Sequence, residues 1–207
     1  MRTKFVVPVA VTALGLALAG CSNDSSSMPS LGSGSPASSA QAKPGVVFND
    51  ADVKFLQDMF PHHAQAVEMA KMVQGRTTTP DIVALSTAIE GAQQPEMDQM
   101  TSLLASFGKP APSADMAGMA GMSGMSSSSS TNGMMSSQDM TALMGLSGAE
   151  FDKRWLTMMT AHHKGAIEQA KTELAGGQNA DAKALATKVI DGQQAELTQM
   201  GALLAKS

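Results

Sequence analysis

The chain has 207 residues, a formal net charge of −4 at pH 7, one Cys, one Trp and no Tyr. It contains neither a basic patch nor a run of aromatic side chains, so no nucleic-acid partner is expected. The single Cys excludes an internal disulfide, and methionine is heavily used, with 18 residues.

The N-terminal region has the pattern of a bacterial lipoprotein signal. A short basic start precedes an apolar stretch, residues 5–19, which is shorter than the roughly 20 apolar residues of a membrane-spanning helix. The stretch ends in the sequence LAGC, whose cysteine is Cys21. We expect removal of residues 1–20 and acylation of Cys21. This would anchor an exported protein to the outer face of the cell membrane or to the periplasmic side of an envelope membrane. The alternative is an ordinary secretory signal with an incidental cysteine.

A tether and four helices are predicted after the signal. Residues 21–47 are rich in Ser, Gly, Pro and Ala, which is typical of a flexible tether. Apolar residues then recur at three- and four-residue spacing, which predicts helices with one buried face. Their approximate bounds are 50–74, 80–107, 147–176 and 180–207. Two α-hairpins, residues 48–107 and 147–207, predict one all-α four-helix bundle domain over residues 48–207.

Local signals refine these helices. Thr79 is the predicted N-cap of the second helix, and Ser147 with Glu150 predicts a capping box at the start of the third. Pro61 and Pro95 lie inside predicted helices, where each removes a hydrogen bond and should kink or loosen the helix. The alternative is that a helix boundary lies at these prolines.

The connection between the hairpins, residues 108–146, is long and rich in Met, Gly and Ser, with a short helix expected at 138–144. Glycine and serine make the rest too costly in entropy to order by itself. Thioethers need no deprotonation, so the regularly spaced methionines of this linker predict capture of a soft metal ion. The alternatives are low-complexity drift and a trap for oxidants. The methionines are Met116, Met119, Met122 and Met125.

A histidine pair is repeated inside matching sequence. His62-His63 in FLQDMFPHHAQAVEMAK returns one hundred residues later as His162-His163 in WLTMMTAHHKGAIEQAK. The register then continues without a gap to the end of the chain. An ungapped repeat of this length indicates two copies of one structural unit.

The repeated pairs predict a metal site. Residues three and four apart share a helix face, so Met59 can point with His62 and His63 into one volume, and the second repeat offers the same set. Imidazole and thioether donors suit copper, with Cu(I) favoured and Cu(II) possible. Met100 and Met200 are more often core residues than ligands. The full set of candidate ligands is His62, His63, His162, His163, Met59, Met159, Met69, Met100, Met200, Glu96, Glu196 and the four linker methionines. The alternative is a core network in which each His bonds a Glu or Gln across its hairpin, without a metal.

These motifs resemble a family catalogued as domain of unknown function 305. The family pattern is Met, two variable residues, His-His, two variable residues, Ala, a branched residue, any residue and Met-Ala. It fits residues 59–70 and 159–170, with Gln169 in place of the second methionine. The resemblance covers residues 50–207 and implies a ferritin-like helical bundle. Because some relatives are described as exported copper-binding proteins, it also implies a role in copper tolerance.

The leading function is therefore a lipid-anchored, exported protein that sequesters or transfers copper without turnover. A copper-donor or copper-acceptor protein is the further partner that this function would require. One alternative is a ferritin-like dimetal oxidase. Such sites need a carboxylate from each of several helices, whereas only Glu96 and Glu196 are plausible interior carboxylates here. The other alternative is a structural lipoprotein with a polar core.

Overall fold

The computed structural model describes residues 42–112 and 131–206. All regular structure in these residues is helical, which confirms the all-α prediction. The elements are α1 (Asp50–Lys71), α2 (Pro80–Ser106), a 3-10 turn (Thr131–Gly133), α3 (Ser137–Met144), α4 (Gly148–Gly176) and α5 (Ala180–Leu204). Cys21 and the four linker methionines lie outside the described residues. None of the described helices is both long enough and apolar enough to cross a membrane.

The four long helices pack as a bundle, with α1 along α2, α4 along α5, α1 along α4 and α2 along α5. Two apolar clusters fill it. The Trp155 cluster consists of Ala66, Met69, Met72, Val73, Ile82, Leu85, Ile89, Met140, Leu143, Phe151, Trp155, Leu156, Met158, Met159 and Met200. The Phe55 cluster consists of Phe55, Leu56, Met59, Met100, Leu103, Leu104, Phe107, Ala166, Ala170, Ala182, Leu185, Ala186 and Val189. The Phe55 cluster contains residues from the first half of α1 and the second half of α4, and the Trp155 cluster contains the reverse. The helices α1 and α4 therefore run in opposite directions.

The helix starts differ from two expectations. Thr79 is the N-cap of α2, as predicted, but its side chain makes no capping hydrogen bond, and its hydroxyl donates to Asp152 Oδ2 at 2.6 Å. Ser147 also makes no side-chain cap, so the predicted capping box is wrong. There the backbone N–H of Gly148 donates to the carbonyl of Arg76 at 2.7 Å, which fixes the start of α4 without the serine hydroxyl.

The two prolines inside helices do not end them. Pro61 lies inside α1 and Pro95 inside α2, and both helices continue without a break. The alternative that a boundary lies at these prolines is therefore wrong. The box that does form is at Asn49, whose side chain accepts from the N–H of Ala51 and Asp52 while Asp52 accepts from Asn49 N–H. At the start of α1 the carboxylate of the third helical residue, Asp52, accepts from the N-cap backbone N–H, and Ser147 makes no side-chain cap at the start of α4.

Candidate metal centre

The four histidines form a layer between the two apolar clusters, called here the histidine layer. Along α1 the Phe55 cluster ends at Met59 and the Trp155 cluster begins at Ala66, so His62 and His63 lie between them. The same order, reversed, holds along α4. The four side chains are 0–1% exposed. The rings of His62 and His162 have centroids 3.8 Å apart with planes inclined by 44°. The two repeated pairs therefore meet in one place, whereas the sequence predicted only one set of donors for each repeat.

Two carboxylates orient two of the imidazoles. His63 Nε2 lies 2.8 Å from Glu96 Oε2, and His163 Nε2 lies 2.6 Å from Glu196 Oε2. A carboxylate accepts but does not donate, so in each ring Nε2 carries the hydrogen. Nδ1 is then the nitrogen with the lone pair when the ring is neutral. Glu96 is additionally approached by Lys188 Nζ at 3.6 Å, a contact with no counterpart in the other repeat, where position 88 is Ala.

The other two imidazoles differ from each other. His62 Nε2 lies 3.0 Å from the carbonyl oxygen of Asn132, to which it donates. Neither ring nitrogen of His162 has a hydrogen-bond partner among the described residues. The Nδ1 atoms of His62, His63 and His163 are likewise buried and without a partner in that part of the chain. The layer thus contains several nitrogen lone pairs that no group of residues 42–112 and 131–206 uses.

Burial keeps the central imidazoles neutral. It lowers the pKa of His62 from 6.5 to about 3, helped by the neighbouring His63 and His163, although the Asn132 carbonyl opposes the shift. Burial and the rings of His62, His163 and His63 also lower the pKa of His162 well below its ordinary value. A neutral imidazole keeps the lone pair that binds a metal ion.

The five candidate methionines within the described residues are fully buried, but they belong to different clusters. Met59 and Met100 lie in the Phe55 cluster, whereas Met69, Met159 and Met200 lie in the Trp155 cluster. Met59 and Met159 stand one helical turn before the histidine pairs. The sulfur of Met200 accepts a hydrogen bond from Thr160 Oγ1 at 3.6 Å. The structure therefore places thioethers on both sides of the histidine layer, inside the apolar core.

The alternative core network is present at His63 and His163, but among the described residues neither His62 nor His162 bonds a Glu or Gln. Glu96 and Glu196 bond histidine, but the buried amides of Gln93 and Gln193 have no hydrogen-bond partner in the described ranges. Within residues 42–112 and 131–206, no group of three or more His, Cys, Asp or Glu side chains is arranged to hold a metal ion. A site at the histidine layer must therefore draw on histidine with methionine, or on imidazoles that move on binding.

Sequence reasoning missed the chain segment that contacts this layer from the linker side. Residues 132–135 lie against α1 and α4, with the Asn132 carbonyl on His62 and the backbone of Met135 on the side chain of Gln65. A signal was available, since Gln65 stands where the second repeat has Gly165. A repeat that otherwise matches closely can differ where one copy alone receives an additional segment.

Comparisons with known proteins agree on the family. The model of the family "Domain of unknown function (DUF305)" matches residues 52–204. An uncharacterized protein of Acanthamoeba polyphaga mimivirus is 42% identical over 53 residues, which are 26% of this chain and only 35% of that protein.

Solved structures share the fold. A DUF305 protein of Streptomyces coelicolor, thought to be secreted, is 31% identical with a TM-score of 0.65, over 75% of this chain and 93% of that one. A DUF305 fragment of Deinococcus radiodurans is 25% identical with a TM-score of 0.64, over 81% and 99%. CopM in its Cu(II)-bound form is 26% identical with a TM-score of 0.62, over 75% and 96%. Because the family model matches well over half of the sequence, this chain belongs to the DUF305 family.

Proposed function

We propose that this protein binds copper at the histidine layer outside the cytoplasm, and that it sequesters the ion or passes it to another protein. The observation that carries the proposal is the set of buried, unpartnered imidazole nitrogens between the two clusters. A buried polar atom without a partner costs about 1–3 kcal/mol. A metal ion that accepts these lone pairs would remove that cost.

The donor chemistry favours copper, and Cu(I) over Cu(II). Imidazole nitrogens with nearby thioethers are a soft to borderline set, whereas Mg²⁺, Ca²⁺ and Mn²⁺ prefer oxygen. The thioethers of Met59 and Met159 lie one turn from the histidines, within α1 and α4 respectively. The similarity to CopM, which was solved with Cu(II) and also with Cu(I), supports copper as the ion.

The number and position of the interior carboxylates favour a protein that binds copper without turnover over a dimetal oxidase. Carboxylate-bridged oxidase sites take a Glu from each of two helices and a Glu-x-x-His from each of the others. Here Glu96 and Glu196 each engage one histidine, and the residues three before His62 and His162 are Met59 and Met159. The dimetal oxidase therefore has less support than a binding protein.

Copper titration of the full chain tests the proposal. Cu(I) affinity is measured anaerobically by competition with a chromogenic chelator, and Cu(II) affinity in air. The matched pair of variants is a quadruple His→Ala variant at His62, His63, His162 and His163, and Gln93→Leu with Gln193→Leu, which changes buried polar groups that donate no imidazole. Wild type and the Gln variant should bind equally, and the His variant should lose tight binding while circular dichroism stays helical. Equal binding by all three would refute the proposal.

The linker and the anchor are separate parts of the proposal. Replacing Met116, Met119, Met122 and Met125 by Ser should remove weak Cu(I) equivalents and leave the tight site intact. Unchanged total stoichiometry would show that these methionines are not ligands. Replacing Cys21 by Ser should move the protein from the membrane fraction to the soluble exported fraction. A protein that stays in the membrane fraction would argue against the lipid anchor.

A further inference from the structure

The segment Asn132–Met135, called here the strap, is hydrogen-bonded to α1 at both of its ends. The carbonyl of Asn132 accepts from His62 Nε2 at 3.0 Å. The side chain of Gln65 donates to the Met135 carbonyl at 2.9 Å and accepts from the Met135 N–H at 2.7 Å. The strap therefore crosses the face of α1 that presents His62. The residue that holds its other end, Gln65, lies one helical turn further along α1.

On its other side the strap touches the backbone of α4 directly. A Cβ atom on Gly165 would lie 1.8 Å from the Asn132 oxygen and 2.4 Å from its carbonyl carbon. A Cβ atom on Gly133 would lie 2.6 Å from the Ala161 oxygen, and Gly133 has φ +82°, which disfavours any other residue. The approach thus depends on glycine from both partners.

The two residues that receive the strap are equivalent in the repeat. Gln65 of α1 holds it by hydrogen bonds, and Gly165 of α4 admits it by having no side chain. One asymmetric segment crosses a duplicated layer, so the two copies of the position must differ. This accounts for the mismatch between the repeats without reference to core packing.

The strap also closes the layer. His62 is 1% exposed and His162 is fully buried, so an ion reaches their nitrogens only after part of the wall moves. The other walls are long helices packed through the two apolar clusters. The strap is not helical beyond Gly133, Asn132 is exposed and the next three residues are half-buried. Local opening is easiest where few apolar contacts must break.

We propose that the strap is the gate through which copper enters and leaves the His62–His162 pair, and that Gly165 is the residue that permits its closure. This proposal rests on copper binding at the histidine layer. While the strap is docked, the Asn132 carbonyl occupies His62 Nε2 and the strap backbone lies against the backbone of α4. Copper exchange then follows the frequency with which the strap leaves α1 and α4.

Gly165→Ala is the direct test, because the new methyl group takes the space of the Asn132 carbonyl and leaves all imidazoles in place. Alanine favours a helix interior more than glycine does, so α4 itself should not be weakened. Gly192→Ala in α5 is the matched control, since nothing lies within 4 Å of a Cβ atom there. Gln65→Leu releases the strap from the opposite side and is the second variant.

The full chain is loaded with Cu(I), and transfer to excess chromogenic chelator is followed by stopped flow. A change in the open population appears directly in the exchange rate. Gly165→Ala and Gln65→Leu should each release Cu(I) at least about tenfold faster than wild type, and Gly192→Ala should match wild type. Hydrogen exchange of the Met135 amide should accelerate in the same two variants.

The outcomes separate the two proposals. If wild type binds Cu(I) and both strap variants release it at the rate of Gly192→Ala, the gate is refuted and the copper site stands. If the Met135 amide stays protected in Gly165→Ala, Gly165 does not control closure and the proposal is likewise refuted. If wild type does not bind Cu(I), the function itself fails.

Discussion

His62 and His162 occupy equivalent positions in the two repeats, and their rings lie against each other with centroids 3.8 Å apart. The two copies of the histidine pair therefore meet inside the histidine layer. An ion bound by one of these rings is within reach of the other. The pair is therefore expected to act as one donor unit rather than as two independent half-sites.

The role of the interior carboxylates can be tested by their ability to accept a hydrogen bond. Glu96 and Glu196 hold Nε2–H of His63 and His163, so they fix the ring orientation that presents Nδ1. Glu96→Leu with Glu196→Leu should weaken Cu(I) binding by about 10–100-fold. Glu96→Gln with Glu196→Gln keeps an accepting oxygen and should cost clearly less. Chelator competition measures both.

The opposite result has a definite meaning. If the Gln variant loses as much Cu(I) affinity as the Leu variant, the carboxylates act as ligands, because an amide oxygen is a poor substitute for an anionic one. Circular dichroism and thermal unfolding of the metal-free variants control for the cost of leaving two buried Nε2–H groups without an acceptor, about 1–3 kcal/mol each.

The helices and the histidine layer could be predicted from the sequence because their determinants are local. Three- and four-residue spacing places His63 and Glu96 on the inward faces of α1 and α2, and the hairpin then brings these faces together. The repeat extends the same argument to His163 and Glu196. The core network was a stated alternative, and the structure contains it at His63 and His163, which bond Glu96 and Glu196.

The contacts that were missed join residues far apart in the chain. Thr79 could not be recognised as a partner of Asp152, which lies 73 positions away, and a local rule assigned it to its own helix instead. The strap is a similar case, since Asn132 and His62 are 70 positions apart. Because the strap hydrogen-bonds the side chains of only one repeat, it produces no periodic pattern in the sequence. Its only sign there is that Gln65 of the first repeat corresponds to Gly165 of the second.

Exchange of methionine for leucine separates thioether ligands from core residues. Both side chains have similar volume, so such changes in a core usually cost less than about 1.5 kcal/mol. Met59→Leu with Met159→Leu should weaken Cu(I) binding by at least about tenfold, because a soft donor is lost one turn from each histidine pair. Met100→Leu with Met200→Leu serves as the matched comparison and should leave the affinity within about threefold. Equal affinities in both variants would remove Met59 and Met159 from the ligand set.

Acid should destabilise the metal-free protein through the central histidines. Burial lowers the pKa of His62 from 6.5 to about 3, so between these values the unfolded chain binds a proton that the folded one does not. The stabilising contribution is present above pH 6.5 and is lost as the pH falls toward 3. His62→Gln with His162→Gln removes this linkage. Between pH 7 and pH 4, the melting temperature of the variant should fall by at least roughly 4 °C less than that of wild type. If the melting temperatures of wild type and variant fell equally, the lowered pKa of His62 would be contradicted.

A second titrating element lies where the start of α1 meets the end of α4. Asp52 accepts hydrogen bonds from the N–H groups of Asn49, Gln178 and Asn179 at 2.6, 3.0 and 2.8 Å. Burial acts to raise the pKa of Asp52, but these hydrogen bonds lower it below its ordinary value. Glu173 is buried nearby, and burial and the neighbouring Asp52 carboxylate raise the pKa of Glu173 to about 8. The raised pKa favours the protonated form of Glu173 at neutral pH.

The pair predicts a loss of stability in base. The folded pKa of Glu173, about 8, lies above its ordinary value of 4.5, so the folded state binds the extra proton between these values. Its contribution is complete below pH 4.5 and is lost as the pH rises through 8. Glu173→Gln keeps a neutral polar side chain near Asp52 without a proton to lose. It should match wild type near pH 4.5 and melt at least roughly 2–4 °C higher at pH 9. Glu168→Gln, an exposed change on the same helix, should differ from wild type at neither pH. If wild type and Glu173→Gln lose stability equally between pH 4.5 and 9, the pKa of Glu173 is not raised in the folded protein.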